Sequence, residues 1–383
     1  MDEQKKSLGP KDGNLLGNRA PEGSPAGLIL AAGFSSRMGR CKALLDLAGQ
    51  SALERVVRSL RLGGVERIVV VTGHYRTEVE TEARRLGCSV AFNADYERGM
   101  FSSIRRGVLA LDGAPALLLL PVDVPLVSFQ VISALVAVHH RGSELAYPAF
   151  LGKRGHPPLI GHSLFPAVIG DDGSRGGLRP ILEAREHLAQ DVAVPDEAVL
   201  LDMDSPEDYE ALRAKALRRD IPNEKECRAL LDLAETPEEV RRHGETVADL
   251  ADRLAASLAG KVPIDRQRLR AACLLHDLAR TSADHALAGA RFLRSWGWKG
   301  VADLVADHMD GPQGETLDEG ALLFAADKAV QSSQIVGIPL RRKLMEKRFR
   351  GNAEALANAL DRLDRAEAIF RALKERTGQA LSL

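Results

Sequence analysis

The feature that most constrains the fold is a change in hydrophobic period near residue 220 of this 383-residue chain. From Gly27 to about residue 217, short runs rich in Val, Ile and Leu alternate with segments whose apolar residues recur at helical spacing. That alternation predicts βαβ units and a parallel sheet covered by helices. From about Asn223 onward the strands stop and apolar positions recur every three or four residues, which predicts an all-helical second half.

The chain length and a polar stretch between the two patterns indicate two domains. At about 100 to 200 residues per domain, 383 residues suit two. The linker is predicted at RRDIPNEK, which is polar and interrupted by Pro222. We therefore expect a first domain over 25–217 and a second over 222–383. Residues 1–24 are polar, rich in Gly and Pro and without the apolar segment of a secretion signal, which predicts a disordered segment.

Composition excludes two classes of partner. Lys and Arg number 52 against 53 Asp and Glu, so the chain lacks the net positive charge typical of nucleic-acid-binding proteins. Aromatic residues make up only 4%, which argues against surfaces that stack on bases. The longest apolar run, APALLLLPV, has nine residues, against the ~20 needed to cross a bilayer. The four cysteines have no CxxC spacing, which suits free thiols in a reducing compartment. We expect a cytoplasmic protein whose partners include neither nucleic acid nor a membrane.

A loop with the features of a phosphate-binding site follows the first predicted strand. Residues 30–42 read LAAGFSSRMGRCK, where small residues let the backbone approach a ligand and Arg37 and Lys42 bring positive charge. Exposed amides and two cations suit a polyphosphate. The alternative is a tight turn between strand and helix with two surface cations. The loop matches neither GxxxxGK[ST] nor GxGxxG, which argues against an ATPase and a nicotinamide enzyme.

A carboxylate is predicted at the same edge of the sheet. The apolar strand ALLLLPV is followed by Asp123, and open α/β sheets bind ligands at the carboxyl ends of their strands. Mg²⁺ takes one or two carboxylates together with phosphate oxygens. Asp123 with one more carboxylate nearby is therefore enough for a Mg²⁺ site.

The same loop resembles the signature of a known family. Residues 30–42 match LAAGxSxRMGxxK of the nucleotidyltransferases that resemble the molybdenum-cofactor guanylyl- and cytidylyltransferases, and the resemblance extends over about residues 25–215. It implies transfer of a nucleoside monophosphate from NTP to a phosphate on an acceptor, with release of pyrophosphate. It further implies that Asp123 is catalytic and that Arg37 and Lys42 neutralise the leaving pyrophosphate. The loop residues that would wrap the nucleotide are Leu30, Ala31, Ala32, Gly33, Ser35 and Gly39.

Three further segments resemble that family. LDMDSPEDY is similar to its DIDTPED segment, which implies that Asp204, with Asp202 second, is the further metal ligand. The alternative for Asp204 is the N-cap of the following helix. Gly99 and Ser102 match the stretch that holds the nucleotide, and His156 in GKRGHPPLIG matches the element that faces the acceptor.

Two positions bear on the choice of substrates. Ala32 stands where the guanylyl branch usually has Gly, so the loop is more similar to the cytidylyl branch and favours CTP over GTP. Val122 stands where the family more often has Gly. That departure leaves the identity of the acceptor open.

The helical half contains a group of histidines and aspartates. Beyond residue 210 its four histidines are His243, His276, His285 and His308. His276 and Asp277 are adjacent within the predicted apolar helix LRAACLLHDLAR, where leaving two polar groups unpaired would be costly. A metal would satisfy both groups. The alternative for a lone HD dipeptide is a solvated helix face.

The pattern H…HD…D, completed by His243 and Asp327, resembles the HD-domain phosphohydrolase superfamily over about residues 223–345. The resemblance implies a divalent metal such as Fe, Mn or Zn that activates a water for attack on phosphorus. His285 and His308 stand where subfamilies with two metals place extra ligands, which implies a second metal. Candidate phosphate contacts, or otherwise a solvated basic face, are Lys328, Arg341 and Arg342.

These inferences combine into one expected protein. It has a Rossmann-like α/β nucleotidyltransferase domain followed by an all-α HD domain. It transfers CMP from CTP to the molybdopterin cofactor with Mg²⁺, a molybdoenzyme is a candidate recipient, and the HD domain hydrolyses a phosphate ester. One alternative keeps the transferase but changes the acceptor to a GTP-linked cofactor, a sugar phosphate or an alcohol phosphate. Another is a protein that delivers cofactor and senses nucleotide without catalysis.

Overall fold

The structure is a computed structural model that describes residues 23–174, 176–311 and 316–378. The predicted disordered segment 1–24 lies outside the described residues except for its last two positions. The chain divides into two units, one that ends at Arg218 and one that begins at Arg219. No helix within the three described ranges is both long and apolar enough to cross a membrane.

The first unit is built on an eight-stranded sheet, counted over its described residues. In chain order the strands are β1 Ala26–Ala31, β2 Ile68–Thr72, β3 Ser89–Phe92, β4 Ala116–Pro121, β5 Leu145–Phe150, β6 Lys153–Arg154, β7 Leu159–Gly161 and β8 Ala189–Ala193. Every residue of β1, β2 and β4 is buried, as expected for strands with helices on both faces. The helices of this unit are α1 Ala52–Leu62, α2 Arg76–Arg85, α3 Met100–Ala110, α4 Phe129–His140, α5 Phe165–Gly170, α6 Leu178–Glu183 and α7 Pro206–Leu217.

The strand order agrees with a Rossmann-like fold but the sheet is mixed. β3, β2, β1 and β4 lie side by side in that order and are parallel. β7 then pairs antiparallel with both β4 and β5, and β6 pairs antiparallel with β5. The predicted parallel sheet thus holds for the four strands β3, β2, β1 and β4, whereas β7 and β6 add antiparallel pairs at the other edge. The few residues between β5 and β7 allow a reversal of direction, whereas a parallel crossover needs a dozen or more.

The second unit is largely helical, as predicted. Its helices are α8 Glu224–Leu233, α9 Glu238–Ser257, α10 Arg266–Leu275, α11 His285–Ser295, α12 Lys299–Asp307, α13 Glu319–Ala329, α14 Gly337–Arg348 and α15 Ala353–Thr377. α13 forms the centre of the core, since every residue from Ala321 to Ala326 is fully buried. The next two residues on α13, Asp327 and Lys328, are thereby brought into the interior.

Two details of this unit differ from the sequence prediction. α10 ends at Leu275, so the HD pair lies in the following turn and not within a helix. The turn is tightened by i→i−3 bonds, Leu278 N to the Leu275 carbonyl and Arg280 N to the Asp277 carbonyl. The unit also contains a small antiparallel hairpin, β9 Val330–Gln331 and β10 Gln334–Ile335. Strands of two residues have too little alternation to be read from a sequence.

Candidate functional sites

The first candidate site lies at the carboxyl ends of β1 and β4, which are neighbours in the sheet. β4 ends at Pro121, whose register partner is Leu30, and Val122 N donates to the Leu30 carbonyl at 3.0 Å. The loop after β1 and Asp123 after β4 therefore leave the sheet side by side. The structure thus brings together the predicted nucleotide loop and the predicted carboxylate.

The loop after β1 closes on Ser35. Met38 N and Gly39 N both donate to the Ser35 carbonyl at 3.0 Å, and Lys42 N donates to Ser35 Oγ at 3.2 Å. Ser35 (φ +52°) and Gly39 (φ +62°) have a left-handed backbone, which is costly for serine and easy for glycine. The three bonds that converge on Ser35 offset this cost. Lys42 is thereby held at the end of the loop.

The two cations of this loop contact two aspartates. Lys42 Nζ lies 2.8 Å from Asp204 Oδ1 and 3.7 Å from Asp123 Oδ2. Arg37 Nη1 lies 3.3 Å from Asp204 Oδ2. Met203 N donates to the Asp123 carbonyl at 2.8 Å, which ties the segment that bears Asp204 to the end of β4.

The N-cap of α7 is Ser205 and not Asp204. Ser205 Oγ accepts from Asp208 N at 3.2 Å, and the Asp208 carboxylate accepts from Ser205 N at 2.8 Å. This is a complete capping box. The Asp204 carboxylate, which is not needed for the cap, contacts Lys42 and Arg37 instead.

The pair of carboxylates fits a Mg²⁺ site. Burial raises the pKa of Asp123, Lys42 opposes that shift, and the nearby Asp204 adds to it, so the pKa lies above that of an ordinary aspartate. Two carboxylates that share one ammonium form a site where a second cation relieves their repulsion. Mg²⁺ takes this donor set and completes its shell with phosphate oxygens and water.

Two cavities meet at these aspartates. The first, of about 460 Å³, is bounded by the loop after β1 and by the start of α3. The second, of about 740 Å³, is bounded by residues of β5 and α6 and by His156. Both cavities are lined by Leu30, Met100, Pro121, Asp123 and Asp204. Ligands in the two cavities would both face the same two carboxylates.

Most of the predicted nucleotide contacts line the first cavity, namely Leu30, Ala31, Ala32, Gly33, Ser35 and Gly99. Gly39 and Ser102 line neither cavity. Gly39 forms the turn of the loop, and Ser102 Oγ lies 2.9 Å from the Asp95 carbonyl and 2.8 Å from the Gly99 carbonyl. Ser102 thus holds the segment before α3, while Ser103 lines the cavity.

His156 lines the second cavity together with Asp202. Burial lowers the pKa of His156, while Asp123 opposes that shift, so the imidazole is neutral at pH 7. Its Nδ1 is buried and has no hydrogen-bond partner within the described part of the chain. A neutral imidazole with an unused nitrogen suits contact with an acceptor molecule.

Sequence reasoning missed an aromatic wall on the first cavity, formed by Phe34, Tyr75 and Tyr96. Phe34 is 44% exposed, and its ring centroid lies 5.3 Å from that of Tyr96. Gly73, which follows β2, lets the backbone there lie close to the loop after β1, because a Cβ added at this position would lie 2.5 Å from the Ala32 carbonyl oxygen. Exposed rings suit stacking with a nucleotide base. The sequence offered one signal for this wall: two of the chain's four tyrosines, Tyr75 and Tyr96, follow the ends of β2 and β3.

The second candidate site brings together the predicted histidines and aspartates of the helical unit. Its ligands come from five helices or their ends. His243 lies on α9, His276 and Asp277 follow α10, His285 begins α11, His308 follows α12 and Asp327 lies on α13. Two groups of three have ligand atoms that all lie within 4.8 Å of one another: His243 with His276 and Asp277, and Asp277 with His285 and His308. Asp277 is common to both groups, so its carboxylate would be a ligand available to each of two metals.

Asp327 completes the first group. Its Oδ1 lies 3.1 Å from His243 Nε2 and 3.7 Å from His276 Nε2. Its Oδ2 accepts from Lys328 Nζ at 2.5 Å. Burial acts to raise the pKa of Asp327, but Lys328, His243 and His276 lower it well below that of an ordinary aspartate. Asp327 is therefore ionised, as a metal ligand must be.

Three backbone carbonyls orient three of the imidazoles. The Nδ1 atoms of His276, His308 and His243 donate to carbonyl oxygens at 2.8, 2.7 and 2.7 Å. A carbonyl only accepts, so each Nδ1 carries a proton, and in the neutral imidazole each Nε2 presents a lone pair to the cluster. His276 Nε2 is buried and has no hydrogen-bond partner among the described residues. A metal is the partner that these donors fit.

The three cations predicted near this site have different surroundings. Lys328 contacts Asp327, as described above. Arg342 Nη2 lies 2.6 Å from Asp364 Oδ1 and 3.2 Å from Glu367 Oε2, which places it in a surface ion pair. Arg341 Nη1 donates to the amide oxygen of Gln331 in the hairpin.

Comparisons with known proteins match two segments of the chain. A family model described as a MobA-like NTP transferase domain matches residues 27–191, and one described as an HD domain matches residues 240–333. The nicotine blue oxidoreductase of Paenarthrobacter nicotinovorans is 31% identical over 189 residues, which is 47% of this chain and 92% of that protein. The molybdenum cofactor cytidylyltransferase of Escherichia coli is 27% identical over 183 residues, 48% of this chain and 92% of that protein. The solved structure of Rv0371c from Mycobacterium tuberculosis H37Rv aligns with a TM-score of 0.44 and 24% identity over 50% of this chain and 97% of that one.

Proposed function

The chain belongs to the MobA-like NTP transferase family and carries an HD domain in addition, and from this premise we propose that it is a CTP:molybdenum cofactor cytidylyltransferase joined to a metal-dependent phosphohydrolase. One observation carries the first half of this proposal. Lys42 holds Asp123 and Asp204 at the place where two cavities meet. A nucleotide in one cavity and a phosphate acceptor in the other would react at that point.

The proposed reaction forms one bond and breaks one. An oxygen of the acceptor phosphate attacks the α-phosphorus of CTP, the bond from that phosphorus to the bridging oxygen breaks, and pyrophosphate leaves. Arg37 and Lys42, on the loop that lines the nucleotide cavity, would neutralise the charge on pyrophosphate. They are paired with aspartates in the structure, so a bound triphosphate would compete with Asp204 for them.

Mg²⁺ would be held by Asp123 and Asp204, and when bound it would supply charge neutralisation at the phosphates. Asp204 would then be engaged by the metal, and Lys42 would be available to the phosphates. His156 and Asp202, which line the second cavity, would contact the acceptor.

CTP and a molybdopterin-type acceptor are supported by the LAAG form of the loop and by the cytidylyltransferase among the relatives. The relatives also include a protein named as an oxidoreductase, so the acceptor needs its own test. A molybdoenzyme is the proposed recipient of a finished cofactor. The alternatives remain an acceptor of another class and a delivery or sensing protein.

The test is to incubate the protein with Mg²⁺, each NTP and each candidate acceptor while pyrophosphate release is followed. We expect release with CTP and the molybdenum cofactor, and a lower kcat/KM with GTP. Comparable values for CTP and GTP would remove the cytidylyltransferase assignment. Release only with a sugar or alcohol phosphate would favour the first alternative, and no release with any acceptor would favour the second.

For the helical unit we propose one or two divalent metals of the Fe, Mn or Zn class. The observation that carries this is the buried, unpartnered Nε2 of His276, judged over the described residues, within a group of ionised carboxylates and oriented imidazoles. His243, His276, Asp277 and Asp327 would hold the first metal, and Asp277, His285 and His308 the second. Bound metal would lower the pKa of a water for attack on phosphorus. Elemental analysis of protein purified without chelator tests this proposal. If the protein contains no metal and added Mn²⁺ does not change its melting temperature, the nucleotide-sensing alternative is favoured.

We propose a cytoplasmic location. The four cysteines form no disulfide, and Cys88, Cys227 and Cys273 are buried. Free thiols of this kind persist in a reducing compartment.

A further inference from the structure

Arg341 is a cation without an acidic partner among the described residues. Its Nη1 donates to Gln331 Oε1, and its Nε is buried with no hydrogen-bond partner there. Within that same part of the chain, no carboxylate lies within salt-bridge distance of it. The adjacent Arg342 differs, since it contacts both Asp364 and Glu367. A partly buried guanidinium whose acceptor is a neutral amide lacks the anion that such a group needs.

The hairpin links Arg341 to the metal-binding cluster. Gln331, which holds the guanidinium, is next to Ser332, whose carbonyl accepts from His243 Nδ1 at 2.7 Å. The hairpin also follows directly from α13, which carries Asp327. Burial lowers the pKa of Arg341, and the Asp327 carboxylate opposes that shift.

Two other cations at the cluster are occupied by its ligands. Lys328 Nζ lies 2.5 Å from Asp327 Oδ2. Arg280 Nη1 lies 3.4 Å from Asp277 Oδ1 and 3.2 Å from His285 Nε2. Both cations therefore stabilise groups assigned to metal binding. Arg341 differs from Lys328 and Arg280 because it contacts none of these ligands and keeps donors for a substrate.

We propose that Arg341 binds the phosphate of the substrate at this cluster, and that the substrate is a phosphomonoester, an inference that rests on the proposed hydrolase function. The cluster has two groups of candidate metal ligands. A monoester has three non-bridging oxygens, one for each group and one for the guanidinium, whereas a diester has only two. In the reaction, water oxygen bonds to phosphorus, the ester P–O bond breaks, the alcohol leaves with a proton, and inorganic phosphate remains. The product therefore keeps the group that Arg341 binds.

The test compares Arg341→Gln with Arg342→Gln in the full chain loaded with Mn²⁺. Inorganic phosphate is the probe, and its Kd is measured by calorimetry. We expect the Kd to rise by about tenfold to a hundredfold in Arg341→Gln, the size of one hydrogen bond to a charged group. Arg342→Gln should stay within about twofold of the parent, because its partners are on the surface. Metal content should be equal in all three proteins, and KM for a phosphomonoester should follow the Kd of phosphate.

Several outcomes would overturn the assignment: no phosphate binding by the parent protein, an unchanged Kd in Arg341→Gln, an equal loss in Arg342→Gln, or loss of metal in Arg341→Gln. If Arg341→Gln does not fold, Arg341→Lys replaces it, with a smaller rise expected because the charge stays and the planar fork is lost. Failure of the hydrolase function itself has a different signature. The parent would then bind phosphate through Arg341 but turn over no ester.

Discussion

Lys42 contacts both carboxylates of the transferase centre, so a change at this one residue alters the charge around Asp123 and Asp204 together. It is also held in place through its backbone bond to Ser35. The side chain is largely buried, and in that setting the interaction between charges is stronger than at the surface. We therefore expect substitutions at such residues to have the largest effect on the proposed reaction.

We predict that Lys42→Ala and Asp123→Ala each lower pyrophosphate release to below about a tenth of normal, because each removes transition-state charge stabilisation. Arg40→Ala, in the same loop but outside both cavities, is the matched control and should remain active. Metal binding by the helical unit should be unchanged in all three, since its candidate ligands all lie in the second unit and none belongs to the first site. Retention of more than a tenth of the activity in both variants would contradict the assignment.

We predict that His285→Ala binds one metal fewer than the parent while the fold survives, since His285 begins α11 at the edge of the cluster. His276→Ala should lose metal binding more fully and melt at a lower temperature, because the metal stabilises only the folded state. Elemental analysis and thermal unfolding measure both effects. Two metals retained in both variants would show that these imidazoles are not ligands.

Among the elements of the first unit, the end of β2 approaches the loop after β1 closely, and the shape of the first cavity depends on this contact. His74 N donates to the Ala32 carbonyl at 3.2 Å across it. A Cβ at Gly73 would lie 2.5 Å from the Ala32 oxygen and 2.9 Å from Tyr96 Cβ. Neither neighbour is the end of a flexible side chain, so the backbone itself would have to move.

We predict that Gly73→Ala destabilises the first unit by about 1 to 3 kcal/mol, as overpacking does, and raises KM for the nucleotide. Gly170→Ala is the control, since a Cβ there meets nothing within 4 Å. Urea unfolding and pyrophosphate-release kinetics are the measurements. Equal stability and KM in the two variants would mean that the loop tolerates displacement.

α2 is tied to β2 by a charged cluster around Glu80. Its carboxylate lies 2.9 Å from Arg76 Nε and 2.6 Å from Arg84 Nη2 and accepts from Thr72 Oγ1 at 3.2 Å. Burial acts to raise the pKa of Glu80, but Arg84 and Arg76 lower it below that of an ordinary glutamate. A folded-state pKa below the unfolded one gives stability that is present above the unfolded pKa and is lost as pH falls through the folded pKa.

We predict that Glu80→Gln costs about 1 to 2 kcal/mol at pH 7, a value reduced by the exposure of both arginines. The difference from the parent should shrink as pH falls below about 4.3, the ordinary glutamate pKa, because the unfolded chain then takes up a proton that the folded state disfavours. Glu78→Gln, an exposed glutamate on the same helix, is the control. Unfolding in urea at pH 7 and at pH 3.5 checks the sign, and a deficit that is constant with pH would contradict it.

Within the molecule as a whole, the two units have separate cores. One cluster of buried side chains includes residues of β1, β2, β4 and α3, and another includes residues of α9, α10, α13 and α15. Each unit also contains all the residues of its own candidate site. We therefore expect each unit to fold and to bind its ligands without side chains of the other.

We predict that residues 219–383, expressed alone, fold as a helical domain that binds about two divalent metals and hydrolyses a phosphate ester. Circular dichroism, elemental analysis and an assay with nucleotide monoesters are the measurements. The full chain with Lys42→Ala is the companion sample, and it should match the fragment in metal content. A fragment that is unfolded with metal present would show that its core needs the first unit.

Features that depend on local spacing could be predicted from the amino-acid sequence. The change of hydrophobic period separated the two folds because strands and helices place side chains at periods of 2.0 and 3.6. The loop at residues 30–42 and the HD pair were readable because consecutive residues form them. The four histidines were recognised as one group because no others lie beyond residue 210.

Contacts between residues far apart in the chain depend instead on tertiary structure. Asp204 meets Lys42 across 162 positions because β1 and β4 are neighbours and Met203 is bonded to Asp123. Strand direction at β7, the end of α10 before the HD pair and the proton on each Nδ1 all follow from packing and backbone bonds that no local pattern encodes. The same reason separates Arg341 from Arg342, which are adjacent in sequence yet have different surroundings because a helix turns successive side chains to different sides.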